Sequence, residues 1–259
     1  MVITGASSGL GAGLAVSYAT PGRVLGLTGR NAARLRGVAD ACRALGAEVH
    51  EECIDITDAA VLAAWLLTFN TAFPVDLVVA NAGASAGRRP DGSFEGFMAA
   101  MALVQVNLLG VMGTVEPLLS GMLARRRGHI AVVASVAGYH GLPDSPAYSA
   151  TKAGVRVYGE ALRAALAPHG IAVSVVVPGF FDSPMSRRFQ GQQPLRLSTT
   201  RAVAIVRAGL DRHARRIVFP RRLALLLQAI DLLPPLLADW AIRRVRFRIL
   251  PERGQDESG

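Results

Sequence analysis

The sequence predicts an α/β protein built on one doubly wound parallel sheet. Three observations carry that reading. Short β-branched runs alternate along the chain with longer Ala- and Leu-rich segments of helical spacing. The runs are apolar nearly throughout, as strands are when helices cover both faces of a parallel sheet. Finally, 259 residues with 51% hydrophobic and 18% charged side chains exclude a disordered chain and suffice for one large core.

The elements follow in order. A first strand is predicted at Met1–Thr4, where no basic-then-apolar leader intervenes, and a helix at Leu10–Ala19. Strands at Arg23–Thr28, Val49–Ile54 and Asp76–Ala80 alternate with helices at Asn31–Leu45 and Asp58–Phe69. The longest helical pattern is Phe94–Arg125, followed by a strand at Ile130–Ser135 and a helix at Tyr148–Ala167. A strand at Ala172–Val177 leads into a loop over 180–197, rich in Pro, Gly, Gln and Arg. A helix at Thr199–Arg212 and a strand at Arg216–Phe219 complete the βαβ succession. Two short helices close the chain, Arg221–Leu233 and Leu236–Ile249, split by Pro234-Pro235. The reading is one domain over 1–220 with a helical C-terminal extension, 221–259, and no internal repeat.

Charge is unevenly placed. The formal net charge is +9, from 27 arginines and the single Lys152 against 19 acids. Residues 1–186 balance, whereas 187–248 hold 14 arginines against Asp211, Asp231 and Asp239. Cys42 and Cys53 alone exclude a disulfide scaffold; both read as small core residues, and a reducing, cytoplasmic compartment is expected. His50, His129, His140, His169 and His213 show no ligand spacing, so no metal is expected. The most apolar stretch, Leu223–Ile242, is interrupted by Gln, Asp and Pro and falls short of a spanning helix. Its leucines flanked by arginines suit a lid or packing element first, and alternatively a peripheral membrane contact through 221–249. Nucleic acid is not an expected partner, because no binding motif accompanies the charge.

Three constellations carry chemistry. The first strand ends in Thr4-Gly5-Ala6-Ser7-Ser8-Gly9-Leu10-Gly11 and runs into a helix, whose free N–H groups favour a pyrophosphate. The second strand ends in Thr28-Gly29-Arg30-Asn31, with an arginine where a carboxylate for a ribose 2′-hydroxyl is usual. That substitution points to a 2′-phosphate and hence to NADP(H), with NAD(H) as the alternative. In Tyr148-Ser149-Ala150-Thr151-Lys152 the phenol and the ammonium share one helix face, and Ser135 ends a strand at the ligand-binding edge of the sheet. A neighbouring cation lowers a phenol pKa toward the working range of an acid or base.

With these motifs the sequence resembles the short-chain dehydrogenase/reductase family, whose fold is a Rossmann-type sheet, from residue 1 to about 220. Asp55 after the third strand, Asn81-Ala82-Gly83 after the fourth, Asn107 in the long helix and Pro178-Gly179 with Ser183 after the sixth complete the pattern. The resemblance implies oxidoreductase chemistry between an alcohol and a carbonyl. It makes Tyr148 the general acid or base, and gives Lys152 the tasks of lowering its pKa and holding the nicotinamide ribose. Ser135 orients the carbonyl, and Asn107 holds a water in a proton relay. By the same resemblance Asp55 and Ile56 border the adenine, Asn81, Ala82 and Gly83 line the cofactor, and Pro178, Gly179 and Ser183 face the nicotinamide. A homodimer or homotetramer is implied through the helices at Phe94–Arg125 and Tyr148–Ala167. Departures are the short first strand, Ala80 where a second Asn is frequent, and Ser183 where Thr is usual. Phe180, Phe181, Met185 and Phe189 of the loop, with the apolar tail Leu223–Trp240, suggest an apolar or lipid-like small-molecule substrate. The rival readings are a catalytically silent dinucleotide sensor or scaffold, and a membrane-recruited protein acting through its basic tail.

Overall fold

A computed structural model describes residues 1–89, 91–191 and 193–243, with backbone alone at 190 and 247–249. The chain forms β1 (Val2–Thr4), α1 (Gly9–Tyr18), β2 (Val24–Thr28), α2 (Ala32–Ala44), β3 (Glu48–Glu52), α3 (Ala59–Ala72) and β4 (Leu77–Ala80). There follow α4 (Phe97–Val104), a π-helical turn over Gln105–Leu109, α5 (Gly110–Arg125), β5 (Gly128–Val133), α6 (Pro146–Leu166) and β6 (Ile171–Pro178). The last elements are β7 (Phe189–Gly191), α7 (Thr199–Asp211), β8 (Arg216–Phe219), α8 (Arg221–Asp231), α9 (Pro235–Ile242) and β9 (Phe247–Ile249).

Seven strands pair in the order β3-β2-β1-β4-β5-β6-β8, all parallel. Strand side chains alternate between two apolar layers. Val2, Val78 and Ala80 enter the layer under α3, α5, α6 and α8, whereas Ile3 and Val79 enter the layer under α1, α2 and α7. Because β1 lies between β2 and β4, the winding reverses there, and the carboxyl ends of β1 and β4 open a crevice where ligands of such sheets bind.

Several local expectations are corrected. The helix predicted over Phe94–Arg125 starts at Phe97, after Gly96 at φ 81°, and the π-helical turn interrupts it at Asn107. Among the described residues, those 29 form the one helical run long and apolar enough to cross a membrane. The loop predicted over 180–197 contains a 3-10 turn at Ser186–Arg188 and β7, which pairs antiparallel with β9. The predicted helix Leu236–Ile249 stops at Ile242, and 247–249 are strand; residues 244–246 and 250–259 lie outside the described residues. Cys42 is buried, but Cys53 is exposed because edge strand β3 ends at Glu52.

Candidate active site

The crevice is held open by polar bonds between two strand ends. Thr4 Oγ1 accepts the backbone N–H groups of Asn81 and Ala82 at 3.1 and 3.2 Å. Asn81 Nδ2 donates in return to the carbonyl oxygens of Thr4 and Gly5, at 3.0 and 3.3 Å. Gly5 has φ 65°, and a Cβ there would sit 2.7 Å from Ala82 Cα. A Cβ on Gly11 would come within 2.4 Å of the Gly5 carbonyl oxygen. Only bare backbone lets α1 begin so close to the loop. Ser8 precedes α1 without capping it, which leaves the first N–H groups and the positive end of the helix dipole for an anion.

A cleft of about 710 Å³ surrounds this turn. Gly5, Ser7, Ser8, Gly9, Leu10, Ile56, Asn81, Ala82, Gly83 and Ser183 line it, and Arg30, Asn31 and Arg34 line the end beside β2. Among the described residues three arginines (Arg30, Arg34 and Arg188) and no carboxylate contribute to its wall. Asn31 also caps α2, its Oδ1 accepting the Arg34 N–H at 2.9 Å. Asp55 is not part of the wall; its carboxylate accepts the N–H and hydroxyl of Thr57 at 2.9 and 2.8 Å. Burial pushes the Asp55 pKa up, but those two bonds and the nearby Arg30 charge outweigh it, so the net shift is downward.

A second cavity of about 90 Å³ adjoins the first through Phe181, Ser183 and Met185. Ser135, Tyr148, Pro178 and Gly179 line it, together with Val136, Ala137, Leu142, Phe180 and Phe189. Ser135 is buried two residues past β5, its Oγ accepting the Ala137 N–H at 3.2 Å. Tyr148 lies near the start of α6, one turn before Lys152. Lys152 is buried, and its Nζ donates to the Val133 carbonyl at 3.0 Å, 5.9 Å from the centre of the Tyr148 ring. Burial lowers the Lys152 pKa to about 8. Burial also raises that of the Tyr148 phenol, with a hydrogen bond to Ser135 acting in the opposite direction. Within the protein alone, then, desolvation sets the phenol, rather than the lysine charge expected to lower it.

Asn107 sits in the π-helical turn, fully buried. Its Oδ1 accepts the Ala84 N–H at 2.8 Å, and its Nδ2 donates to the Ala84 carbonyl and to Thr151 Oγ1 at 3.0 and 3.1 Å. Thr151 Oγ1 donates onward to the Tyr148 carbonyl at 2.8 Å. The π-helical turn therefore ties the segment after β4 to the Tyr148–Lys152 turn of α6, and such interruptions are frequent at functional sites.

Three residues of the site carry no signal in the sequence. Arg34 joins Arg30 only because α2 starts at Ala32 and turns it back into the cleft. Thr151 lies inside the Tyr-Lys motif but gains its meaning from Asn107, 44 positions away. Glu95 is buried before α4, and its carboxylate accepts the Ala147 N–H at 2.8 Å, next to Tyr148. The sequence offers nothing that joins a loop glutamate to a helix start 52 residues later.

The glycine cradle, the uncapped helix start and the acid-free cleft fit a dinucleotide, and the serine, tyrosine and lysine beside it fit proton transfer to or from an oxygen. Together with the sheet they define a dinucleotide-dependent oxidoreductase acting between CH–OH and C=O. The chain belongs to the short-chain dehydrogenase/reductase family: the short chain dehydrogenase model matches residues 1–194. It is 34% identical over 250 residues to an uncharacterized oxidoreductase of Myxococcus xanthus, covering 95% of this chain and 96% of that one. Dehydrogenase/reductase SDR family member 7B of Bos taurus is 33% identical over 194 residues, 72% of this chain and 59% of that protein. Among solved structures, a short-chain dehydrogenase from Sphingobium yanoikuyae in complex with NADPH superposes with TM-score 0.78 at 25% identity, covering 95% of both chains. A 3-oxoacyl-[acyl-carrier protein] reductase from Brucella melitensis gives TM-score 0.69 at 27% identity, over 81% of this chain and 82% of that one.

Proposed function

We propose that the protein uses NADPH to reduce a carbonyl, or NADP to oxidise the corresponding alcohol, on an apolar or lipid-like small molecule. One observation carries the cofactor choice: Arg30 and Arg34 line the far end of a cleft without a carboxylate. A ribose 2′-phosphate pairs with guanidinium forks, whereas a free 2′-hydroxyl is usually met by an acid. The NADPH held by the Sphingobium enzyme supports the same reading. Ser7, Ser8, Gly9, Leu10 and Gly11 would hold the pyrophosphate and Ile56 would face the adenine. Asn81, Ala82 and Gly83 would line the middle, with Pro178, Gly179 and Ser183 at the nicotinamide end.

The bound nicotinamide supplies or accepts the hydride. The Tyr148 hydroxyl gives a proton to the carbonyl oxygen during reduction and takes it back during oxidation. Ser135 donates a hydrogen bond to that oxygen and fixes its direction. Lys152 places a compact cation beside the phenol and the ribose, and Asn107 holds the catalytic turn and a water of the proton relay. Apart from Ser135, Tyr148, Ser183 and Ser186, the residues around the second cavity present apolar side chains or glycine, which favours a substrate with little polarity beyond its carbonyl. The exposed apolar residues Met98, Met101 and Leu109, with Val157 of α6, form the face through which two copies associate.

Cofactor choice is tested by nicotinamide fluorescence. NADPH binds more tightly than NADH, and Arg30→Ala or Arg34→Ala removes about tenfold to a hundredfold of NADPH affinity, the range of a hydrogen bond to a charged group. Equal affinity of the unaltered protein for both cofactors contradicts the reading.

A further inference from the structure

We propose that α8 and α9 form a surface that docks on an anionic lipid bilayer. The proposal stands apart from the reaction assigned above, because it uses none of the residues of that site. α8 buries Leu223, Ala224, Leu227 and Ile230 in the protein. α9 buries Ala238 and Ile242, and outside these buried stripes Leu225 and Leu226 of α8, Leu232 of the connection, and Leu236, Leu237 and Trp240 of α9 are each between 54% and 86% exposed. Large apolar side chains gathered on one surface mark a contact rather than a solvated face.

The charge around them identifies the contact. Arg221 and Arg222 stand one helical turn before Leu225 and Leu226, and Arg243 one turn after Trp240, all three exposed. Positions 221–248 hold six arginines against Asp231 and Asp239, and Asp231 lies 3.2 Å from His140. Leucines in the middle, a tryptophan among them and guanidinium groups at the rim are the distribution of a helix pair lying in a bilayer interface. Guanidinium groups at that depth extend outward to lipid phosphates, so an anionic bilayer complements the rim.

A second copy of the chain fits this surface poorly. A twofold contact brings a patch onto itself and would set arginine rim against arginine rim. The face on α4 and α5 has no such obstacle, since no arginine or lysine lies between Phe97 and Ala124. The docking helix also adjoins the apolar cavity from behind: α8 packs against the turn Val136–Gly138, and Leu223 shares an apolar cluster with Phe180. One helix thus lies between bilayer and pocket.

The test is flotation of the full-length protein with vesicles of phosphatidylcholine alone or mixed with phosphatidylglycerol. The protein floats with the mixed vesicles and not with the neutral ones, and brominated lipid quenches fluorescence that Trp240→Phe removes. The double variant Leu232→Asp/Leu236→Asp, shown to be folded by circular dichroism and its melting temperature, stays unbound. Arg221→Ala and Arg222→Ala each lower the partition coefficient about fivefold, corresponding to about 1 kcal/mol per basic residue at such a surface. Any of three results overturns the proposal: no flotation, equal flotation with neutral vesicles, or flotation unaffected by the two aspartates. A smaller particle in sedimentation velocity for the double variant also overturns it, since that makes the surface a contact between copies. Turnover enters none of these readouts, so an inactive protein that floats defeats the reductase reading alone.

Discussion

Lys152 is the only lysine beside 27 arginines, and its surroundings give the reason. The ammonium is enclosed, donates to one backbone carbonyl, and stands where a Cβ on Gly83 would already be 3.4 Å away. A planar guanidinium needs more room and cannot act as a point charge there. Lys152→Arg is expected to leave circular dichroism intact and to lower kcat by about a hundredfold, the lower range for a group that governs proton transfer. Near-normal turnover would refute that. Burial brings the Lys152 pKa from 10.5 to about 8, so the charged form prevails below that pH and is lost above it. Because kcat/KM reports the free enzyme, it should fall as pH rises through about 8 in the reductive direction. A profile flat to pH 10 would show that the ammonium is not needed. The Tyr–Lys pair was legible in the sequence because four residues on a helix fix a shared face. Arg34, Thr151 and Glu95 were not, because each acquires its role from a partner or a cleft that only the folded chain supplies.

At the scale of elements, the placement of Tyr148 and Lys152 depends on how α6 begins. Ser145 gives α6 no side-chain cap, and Glu95 takes that place by accepting the Ala147 N–H. The neighbouring chain is pinned as well: the Arg88 N–H donates to the Asp144 carbonyl at 2.8 Å, and Ser145 Oγ donates to the Ala86 carbonyl at 3.0 Å. Glu95→Ala leaves a partly buried donor without a partner and should cost about 1–3 kcal/mol, or about 2–4 °C of melting temperature per kcal/mol. Glu95→Gln keeps an acceptor and should lose less than half as much. Equal losses in the two variants would argue for packing rather than capping. Strand and helix order followed from hydrophobic period, which is local. The π-helical turn at Asn107 and the β7–β9 pair did not, since the side chain of one bonds Ala84, 23 positions earlier, and the other joins segments about 60 residues apart.

For the whole molecule, the doubly wound sheet was readable because β1 precedes a glycine turn and apolar runs recur at βαβ spacing. The position of the crevice follows from the reversal between β1 and β4, and the resemblance of ordered motifs supplied the roles. The C-terminal helix ends earlier than its predicted bound because apolar residues and arginines recur past Ile242, whereas 247–249 are strand. If the cleft selects NADPH, a concentration near a hundred times Kd stabilises the fold by about 2.7 kcal/mol and raises the melting temperature by about 5–11 °C. NADH at the same concentration should raise it less, and identical shifts would contradict the selection. The proton-transfer role of Tyr148 is tested by turnover of an apolar ketone with NADPH by the unaltered protein and by Tyr148→Phe, with cofactor affinity measured alongside. In Tyr148→Phe, kcat should fall by about a hundredfold or more while NADPH affinity stays within about twofold. A Tyr148→Phe protein that reduces the ketone at close to the original rate would show that the phenol is not the proton donor.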